Sequence, residues 1–348
     1  MPRLRRADCS TPGIRRVRRG RGFAYVNERD GARIHDPETL ARIRALVVPP
    51  GWKDVWICPH ANGHIQAVGT DSRGRRQYRY HDRWRERRDA DKFDRMLEFA
   101  RALPGLRDVT ARHLRRGEPT RDRVLAGAVR LLDRGFFRIG GEAYAEENET
   151  YGLATMGKRH VTLHPGNVLV FDYRAKGGKR RLESVVDPQV HRLVAQLKHR
   201  RGGGDELLAY KDHGRWVDVR SSDINAYIRT HTGGEFTAKD FRTWSATVLA
   251  AVAMAVSARA ARSRTARRRA VSRAVEEVAF YLGNTPAVCR ASYIDPRVFD
   301  RFDAGATIAG ALDALGDVDL GAPAVQGEIE LAVLALLDGR ASDLKRAA

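Results

Sequence analysis

Gly283-Asn284-Thr285-Pro286-Ala287-Val288-Cys289-Arg290-Ala291-Ser292-Tyr293-Ile294-Asp295-Pro296 reads as a short helix between two stops. Thr285 followed by Pro286 has the form of an N-cap with proline in the first turn, where a missing N–H costs nothing. Pro296 disfavours helix at Asp295, so Tyr293 stands at the end of this helix. Taken alone, such a tyrosine is simply interfacial. Its meaning depends on what the rest of the chain brings to it.

Working back toward the N-terminus, three further segments put a cation in an unusual setting. Arg242 lies in Lys239-Asp240-Phe241-Arg242-Thr243-Trp244, beside apolar residues. Lys176 flanks Gly177-Gly178, a hairpin turn signal inside Asp172 to Arg181, and Lys179 lies across the same turn. Arg138 is a charge inside the apolar run Phe136-Phe137-Arg138-Ile139-Gly140. Each has an ordinary explanation, a salt-bridged arginine or a solvated lysine, and individually that explanation wins.

The composition sets the background. The chain has 348 residues, of which 43% are hydrophobic, enough for two domains and a sizeable core. Lys and Arg total 63 against 43 Asp and Glu, a formal charge of +20 that suits a polyanionic partner. Cys9, Cys58 and Cys289 are few, odd in number and far apart, so neither a disulfide framework nor a zinc cluster is expected. The longest apolar run, Val248 to Val256, is short of the ~20 residues a membrane span needs.

Residues 1–22 carry many arginines and no apolar period, and are expected to be a flexible basic arm. Residues 23–90 read as short strands, including Phe23 to Val26, Val55 to Cys58 and Ile65 to Val68, with Asn62-Gly63 and Ser72-Arg73-Gly74 as turns. Residues 91–348 read as a larger domain. It opens with helices, returns to strand at Val161 to Leu163 and Val168 to Phe171, and is dominated by helices from Val190 onward. Ser222-Asp223 reads as an N-cap. The tail, 301–348, is net acidic with a helical apolar face from Ile329 to Leu337. The fold class is therefore α+β: a small antiparallel β domain, then a mainly helical domain with a small β-hairpin sheet.

Two patterns are decoys. Gly152 to Lys158 approaches a phosphate-binding loop, but Arg159 stands where Ser or Thr should hold magnesium, and strand rather than helix follows. His160 and His164 are four apart, yet on a strand they lack the geometry to share a metal. A better signal is Arg73-Gly-Arg75-Arg76-Gln77-Tyr78-Arg79-Tyr80-His81. On a strand Tyr78 and Tyr80 share a face, and the arginines can neutralise phosphates.

In this order and spacing, the segments Phe136 to Met156, Phe171 to Lys179, Lys239 to Trp244 and Leu282 to Tyr293 resemble the signature regions of poxvirus-like type IB DNA topoisomerases, which bacteria also carry. Gln77-Tyr78-Arg79-Tyr80 resembles that family's N-terminal DNA clamp. The resemblance covers roughly residues 22 to 300. It implies the topoisomerase and tyrosine-recombinase core fold, with Tyr293 as nucleophile and Arg138 and Arg242 bracketing the phosphate. Lys176 would be the general acid, with Lys179 as the alternative. It also implies DNA contacts at Gln77, Tyr78, Tyr80, Tyr144 and Lys239.

The expected activity is relaxation of positive and negative supercoils through a 3′-phosphotyrosyl intermediate, without cofactor, metal or ATP. The expected partner is double-stranded DNA, gripped by a monomeric clamp in the cytoplasm at the nucleoid, with no membrane. Such clamps often close only around DNA, so the free protein is expected to hold Tyr293 away from the arginines.

The chain departs from the pattern at two positions. The family usually has His nine residues before the tyrosine, where this chain has Asn284. Asn can donate a hydrogen bond to a phosphoryl oxygen but cannot act as acid or base. Gly141 stands where poxvirus enzymes have a base-contacting lysine, so their site preference is not expected here. Two alternatives remain open. A tyrosine recombinase shares the catalytic set, but Lys239-Asp240-Phe241-Arg242 lacks the His-x-x-Arg box. An architectural DNA-binding protein explains the charge and leaves the catalytic set as coincidence.

Overall fold

The computed structural model describes residues 3–261, 263–316 and 323–339. The chain divides into two compact units, 1–92 and 93–348.

The first unit is a five-stranded antiparallel sheet in the order β2-β1-β3-β4-β5. Its strands are β1 (Ile14–Arg19), β2 (Gly22–Asn27), β3 (Lys53–Ile57), β4 (Ile65–Thr70) and β5 (Arg76–Tyr80), with helix α1 (Pro37–Ala45) between β2 and β3. Period-two alternation sends Ile14, Val55, Ile57 and Ala67 to one face, against Ile43 of α1. Trp56, Cys58 and Val68 pack with Ala7 and Cys9 of the N-terminal segment. Sequence reading had only strands here and missed α1. The signal was present, since Asp36 precedes Pro37 and its carboxylate accepts the Thr39 N–H at 2.8 Å.

The basic arm is corrected by the structure. Ile14–Arg19 is the second strand of the sheet, paired with both β2 and β3, and Arg5 exchanges backbone hydrogen bonds with Asn62 and His64. Arg16 spends its charge internally. Its guanidinium donates to the carbonyls of Val48, Pro49 and Trp52 at 3.3, 3.1 and 2.6 Å and covers the Phe23 ring. A run of arginines hides a strand because long aliphatic stems can lie along a sheet while the head groups find carbonyls or water.

Helix α2 (Asp82–Leu114) is continuous through the position expected as a domain boundary, 90/91. In the second unit it is followed by α3 (Arg121–Gly135), α4 (Glu142–Asn148) and the strands β6 (Val161–His164), β7 (Val168–Arg174) and β8 (Arg180–Val186). These strands form an antiparallel sheet in sequential order. After α5 (Pro188–Lys198), a second hairpin appears that sequence reading did not foresee, β9 (Ala209–Asp212) with β10 (Arg215–Asp218). The remainder is helical: α6 (Ser221–Thr232), α7 (Ala238–Ala258), α8 (Arg264–Leu282), α9 (Pro286–Ser292), α10 (Pro296–Asp303), α11 (Ala309–Leu315) and α12 (Pro323–Leu337).

The expected cap at Ser222 is shifted. Arg220 is the capping position, and the Asp223 carboxylate accepts its N–H at 2.9 Å.

Helix α7 organises this unit. By length and composition it could cross a membrane, but Phe241, Trp244, Thr247, Ala250, Ala251, Met254 and Ala255 are buried in the core, so it reads as the core helix of a folded domain.

The acidic tail, as far as it is described, packs on the core through Ile329, Val333, Leu336 and Leu337 of α12. Asp317, Asp319, Arg340 and Asp343 lie outside the described residues. Arg107 of α2 locks this helix in place. It donates to both oxygens of Asp133 on α3 (2.9 and 2.8 Å) and of Glu330 on α12 (2.7 and 2.8 Å). The two carboxylates raise the Arg107 pKa against the opposing effect of its own burial. Arg107→Ala would strand two nearly buried carboxylates, so a loss of about 3 kcal/mol is expected in urea unfolding. A change below about 0.5 kcal/mol would show that the network contributes nothing to stability.

Candidate active site

Five elements of the second unit bring the predicted catalytic residues together. The 136–141 segment between α3 and α4 supplies Arg138. It leaves α3 through Phe136, in the left-handed region at φ 54°, and buries Phe137 in the core. The Arg138 carbonyl accepts the Leu153 N–H at 2.8 Å. Behind it, Gly140 and Gly152 pack backbone to backbone: a Cβ on Gly152 would fall 2.4 Å from the Gly140 nitrogen. Two glycines are needed for that approach.

Helix α7 supplies Arg242. The Asp240 carboxylate reaches back to the Thr237 N–H at 2.7 Å, and Asn225 of α6 accepts the Ala238 N–H at 3.0 Å, so the start of the helix is capped. Arg242 is only 5% exposed. It donates to the carbonyls of Phe136 and of Leu282, the latter at 2.8 Å. Burial and then the charge on Arg138 pull its pKa below the ordinary arginine range, while Tyr293 opposes them. A guanidinium stays charged regardless.

Helices α8 and α9 meet at Gly283, which closes α8 in the left-handed conformation at φ 63°. The next residue, Asn284, accepts a hydrogen bond from Arg138 through Oδ1, and the Gly283 carbonyl accepts another at 3.4 Å. The Asn284 Nδ2 group is buried, with the Asn284 side chain against the Cys289 thiol. Thr285 caps α9, its hydroxyl accepting the Val288 N–H at 3.3 Å.

Tyr293 ends α9 as the sequence indicated. The Thr247 hydroxyl, on α7 and fully buried, accepts the Asp295 N–H at 3.1 Å, and its single proton has the Thr243 carbonyl at 2.9 Å and the Tyr293 carbonyl at 3.3 Å within reach. The phenol ring is half-buried, with the Arg242 guanidinium carbon 5.5 Å from its centroid. The structure places Tyr293 beside Arg242 rather than away from the arginines, with Thr247 of the same helix next to its backbone.

The β7–β8 hairpin brings the lysines. Its turn is closed by the Ala175 N–H to the Lys179 carbonyl (2.8 Å) and the Gly178 N–H to the Ala175 carbonyl (3.0 Å), with Gly177 and Gly178 at φ 82° and 75°. Lys176 and Lys179 are exposed, and both line one cleft with Arg138, Arg242, Phe136, Tyr173, Arg181 and Gly283. Burial, and next Glu183, push the Tyr173 phenol up to about 12. Tyr173 therefore stays neutral among the cations.

Lys239 is exposed on the first turn of α7, three positions before Arg242 and so on an adjoining face. Tyr144 lies on α4, and its side chain is outside the described residues. In the first unit, Tyr78 and Tyr80 sit on the edge strand β5, exposed on one face, with rings stacked 6.0 Å apart. Gln77 alternates to the other face and donates to Asp71 at 2.9 Å. Asp71 also binds Arg75, the main cause of a carboxyl pKa lowered to about 2, and so shapes the β4–β5 turn. Among the described residues no cluster of His, Cys, Asp or Glu is arranged to hold a metal.

The sequence reading missed two residues. Thr247 gives no local signal, because Tyr293 and Asp295 are distant in the chain. Arg181 could have been found from hairpin parity, since it pairs across the ladder with the inward-facing Tyr173.

Two guanidiniums and two ammonium-bearing side chains thus line one cleft, and Tyr293 packs against one of those guanidiniums, a set of groups suited to binding a phosphate. Comparison with known proteins gives the family. Residues 81–304 match the catalytic core of eukaryotic DNA topoisomerase I, and residues 22–71 match the N-terminal domain of bacterial DNA topoisomerase IB. The DNA topoisomerase 1B of Acanthamoeba polyphaga mimivirus is 29% identical over 294 residues, 81% of this chain and 85% of the viral one. DNA topoisomerase 1 of Rabbit fibroma virus is 22% identical over 67% of this chain and 70% of its own. DNA topoisomerase 1 of Candida albicans is 32% identical, over 38% of this chain and 16% of the yeast protein. The chain thus spans most of the viral relatives and a small part of the eukaryotic ones. It belongs to the type IB DNA topoisomerase family.

Proposed function

We propose that the protein relaxes supercoiled DNA of either sign by transient cleavage of one strand. The observation that carries this reading is that Arg138, Arg242, Lys176 and Lys179 line one cleft, with Asn284 bonded to Arg138 and Tyr293 packed against Arg242. The Tyr293 oxygen bonds to a backbone phosphorus as its proton departs to solvent. The bond from phosphorus to the 5′-oxygen breaks, and Lys176 or Lys179 protonates that oxygen. The product is a 3′-phosphotyrosyl link and a free 5′-hydroxyl. Two guanidiniums and the Asn284 amide face the charge of the five-coordinate transition state, the role a metal plays in other phosphoryl-transfer sites. The link conserves the energy of the broken bond. The reverse attack reseals the strand after the free end has rotated, and no ATP is needed.

The tyrosine face of β5 suits stacking and phosphate contacts. We propose that both units engage the same duplex as a monomeric clamp, working on nucleoid DNA in the cytoplasm. The test is plasmid relaxation in EDTA without ATP, starting from positively and from negatively supercoiled substrate. Complete relaxation of both, with a covalent adduct on 3′ ends after denaturant quench, is expected. Strand exchange requiring paired sites would indicate a recombinase instead. Plasmid binding with neither nicking nor adduct would indicate an architectural protein.

A further inference from the structure

The last carbonyls of α8 have no partners within the helix, and the structure accounts for each of them. Ala279 accepts the Asn284 N–H, and Phe280 accepts the Gly283 N–H. Arg181 of β8 donates to Phe280 at 2.9 Å and to Tyr281 at 2.5 Å. Arg242 takes Leu282, and Arg138 takes Gly283. Three guanidiniums from three separate elements therefore clasp successive carbonyls at the negative end of one helix. Two of them belong to the catalytic set. The third, Arg181, does not, although it lines the same cleft.

The local structure is built for Arg181 to sit there. Glu183, two residues on and on the same face of β8, forms an ion pair with it. Gly283 leaves it room: a Cβ at that position would lie 3.2 Å from the Arg181 Nη1. Arg181 is also attached to the hairpin that carries Lys176 and Lys179, whereas the carbonyls it grips lead directly into Gly283 and Asn284. It spans the two halves of the site: lysines on one side, Asn284 and the arginine-bound helix end on the other.

We propose that Arg181 is a positioning residue. By tying the β7–β8 hairpin to the C-terminus of α8, it holds the lysine of the leaving-group step in register with the phosphate-binding arginines and Asn284. It acts through those groups and touches no DNA. The inference rests on the reading of function above. It commits to Arg181 serving the rate of strand transfer rather than the grip on DNA or the stability of the fold.

The experiment compares wild type, Arg181→Ala and Arg181→Lys, with each change repeated in a Lys176→Ala, Lys179→Ala background. Relaxation of negatively supercoiled plasmid is followed at saturating enzyme, and affinity for a short duplex is measured across a salt series. Arg181→Ala is expected to slow relaxation about 10- to 100-fold, the cost of misplacing a reacting group by an ångström or less. Arg181→Lys keeps the charge but cannot fork between two carbonyls, and is expected to be slowed as well.

Affinity and its salt slope stay as in wild type, and in the lysine-free background the Arg181 change adds less than about twofold. Wild-type rates in either variant overturn the proposal. So does a shallower salt slope, which would make Arg181 a phosphate contact, and so does full additivity with the lysine changes. If the wild-type protein itself fails to relax plasmid or form an adduct, the functional reading falls first and this inference with it.

Discussion

Tyr293→Phe is expected to abolish plasmid relaxation and the covalent DNA adduct while leaving the fold intact. The substitution removes one oxygen atom. The ring keeps its place against the Arg242 guanidinium, because that contact is made with the face of the phenol. The backbone keeps its anchor, because the Thr247 hydroxyl accepts the Asp295 N–H and lies by the Tyr293 carbonyl, not the side chain. Thermal stability and DNA affinity should therefore match wild type closely. Chemistry should not, since a phenyl ring has no nucleophile to offer. The measurement is adduct formation under denaturing quench beside a gel-shift titration. Residual adduct in the variant would mean that another residue attacks the phosphate.

Arg242→Ala is expected to cost both catalysis and stability. For catalysis, the proposed mechanism makes Arg242 one of two fixed charges facing the phosphate, and losing a pre-organised donor of this kind slows chemistry by about 10²–10³-fold. For stability, the guanidinium is the hydrogen-bond partner of the Phe136 and Leu282 carbonyls. Each buried carbonyl left unpaired costs on the order of 1–3 kcal/mol. Arg242→Lys should fare little better, because a point charge cannot bridge the two carbonyls while facing a phosphate. Single-turnover rates at saturating enzyme and urea midpoints read the two losses separately. A variant slow in chemistry but unchanged in stability would show that the carbonyl contacts matter less than the structure implies.

These predictions draw on different amounts of sequence and structure. The turn at Gly177-Gly178, the cap at Thr285 and the helix stop before Pro296 were legible because each is a local steric or hydrogen-bonding rule acting within a few residues. The same locality failed at the N-terminus. The arginines of β1 mask its pairing, which depends on β2 and β3, and Arg16 reads as surface charge until the carbonyls of Val48, Pro49 and Trp52 surround it. Gln77 shows the intermediate case. The motif that contains it was recognisable, but alternation along β5 turns its side chain away from Tyr78 and Tyr80 and onto Asp71.

The residue types of the site, the order of its segments and the chemistry open to each side chain were determined by the sequence by itself. Only the tertiary structure decided that Arg138, Arg242 and Arg181 share the carbonyls at one helix end, that Thr247 lies against the Tyr293 backbone beside them, and that Arg181 of the lysine hairpin reaches Phe280 and Tyr281. The physical reason is range. Capping, turn and proline rules act over a few neighbouring residues, whereas these hydrogen bonds join groups up to 145 positions apart, which only the packed core brings within reach.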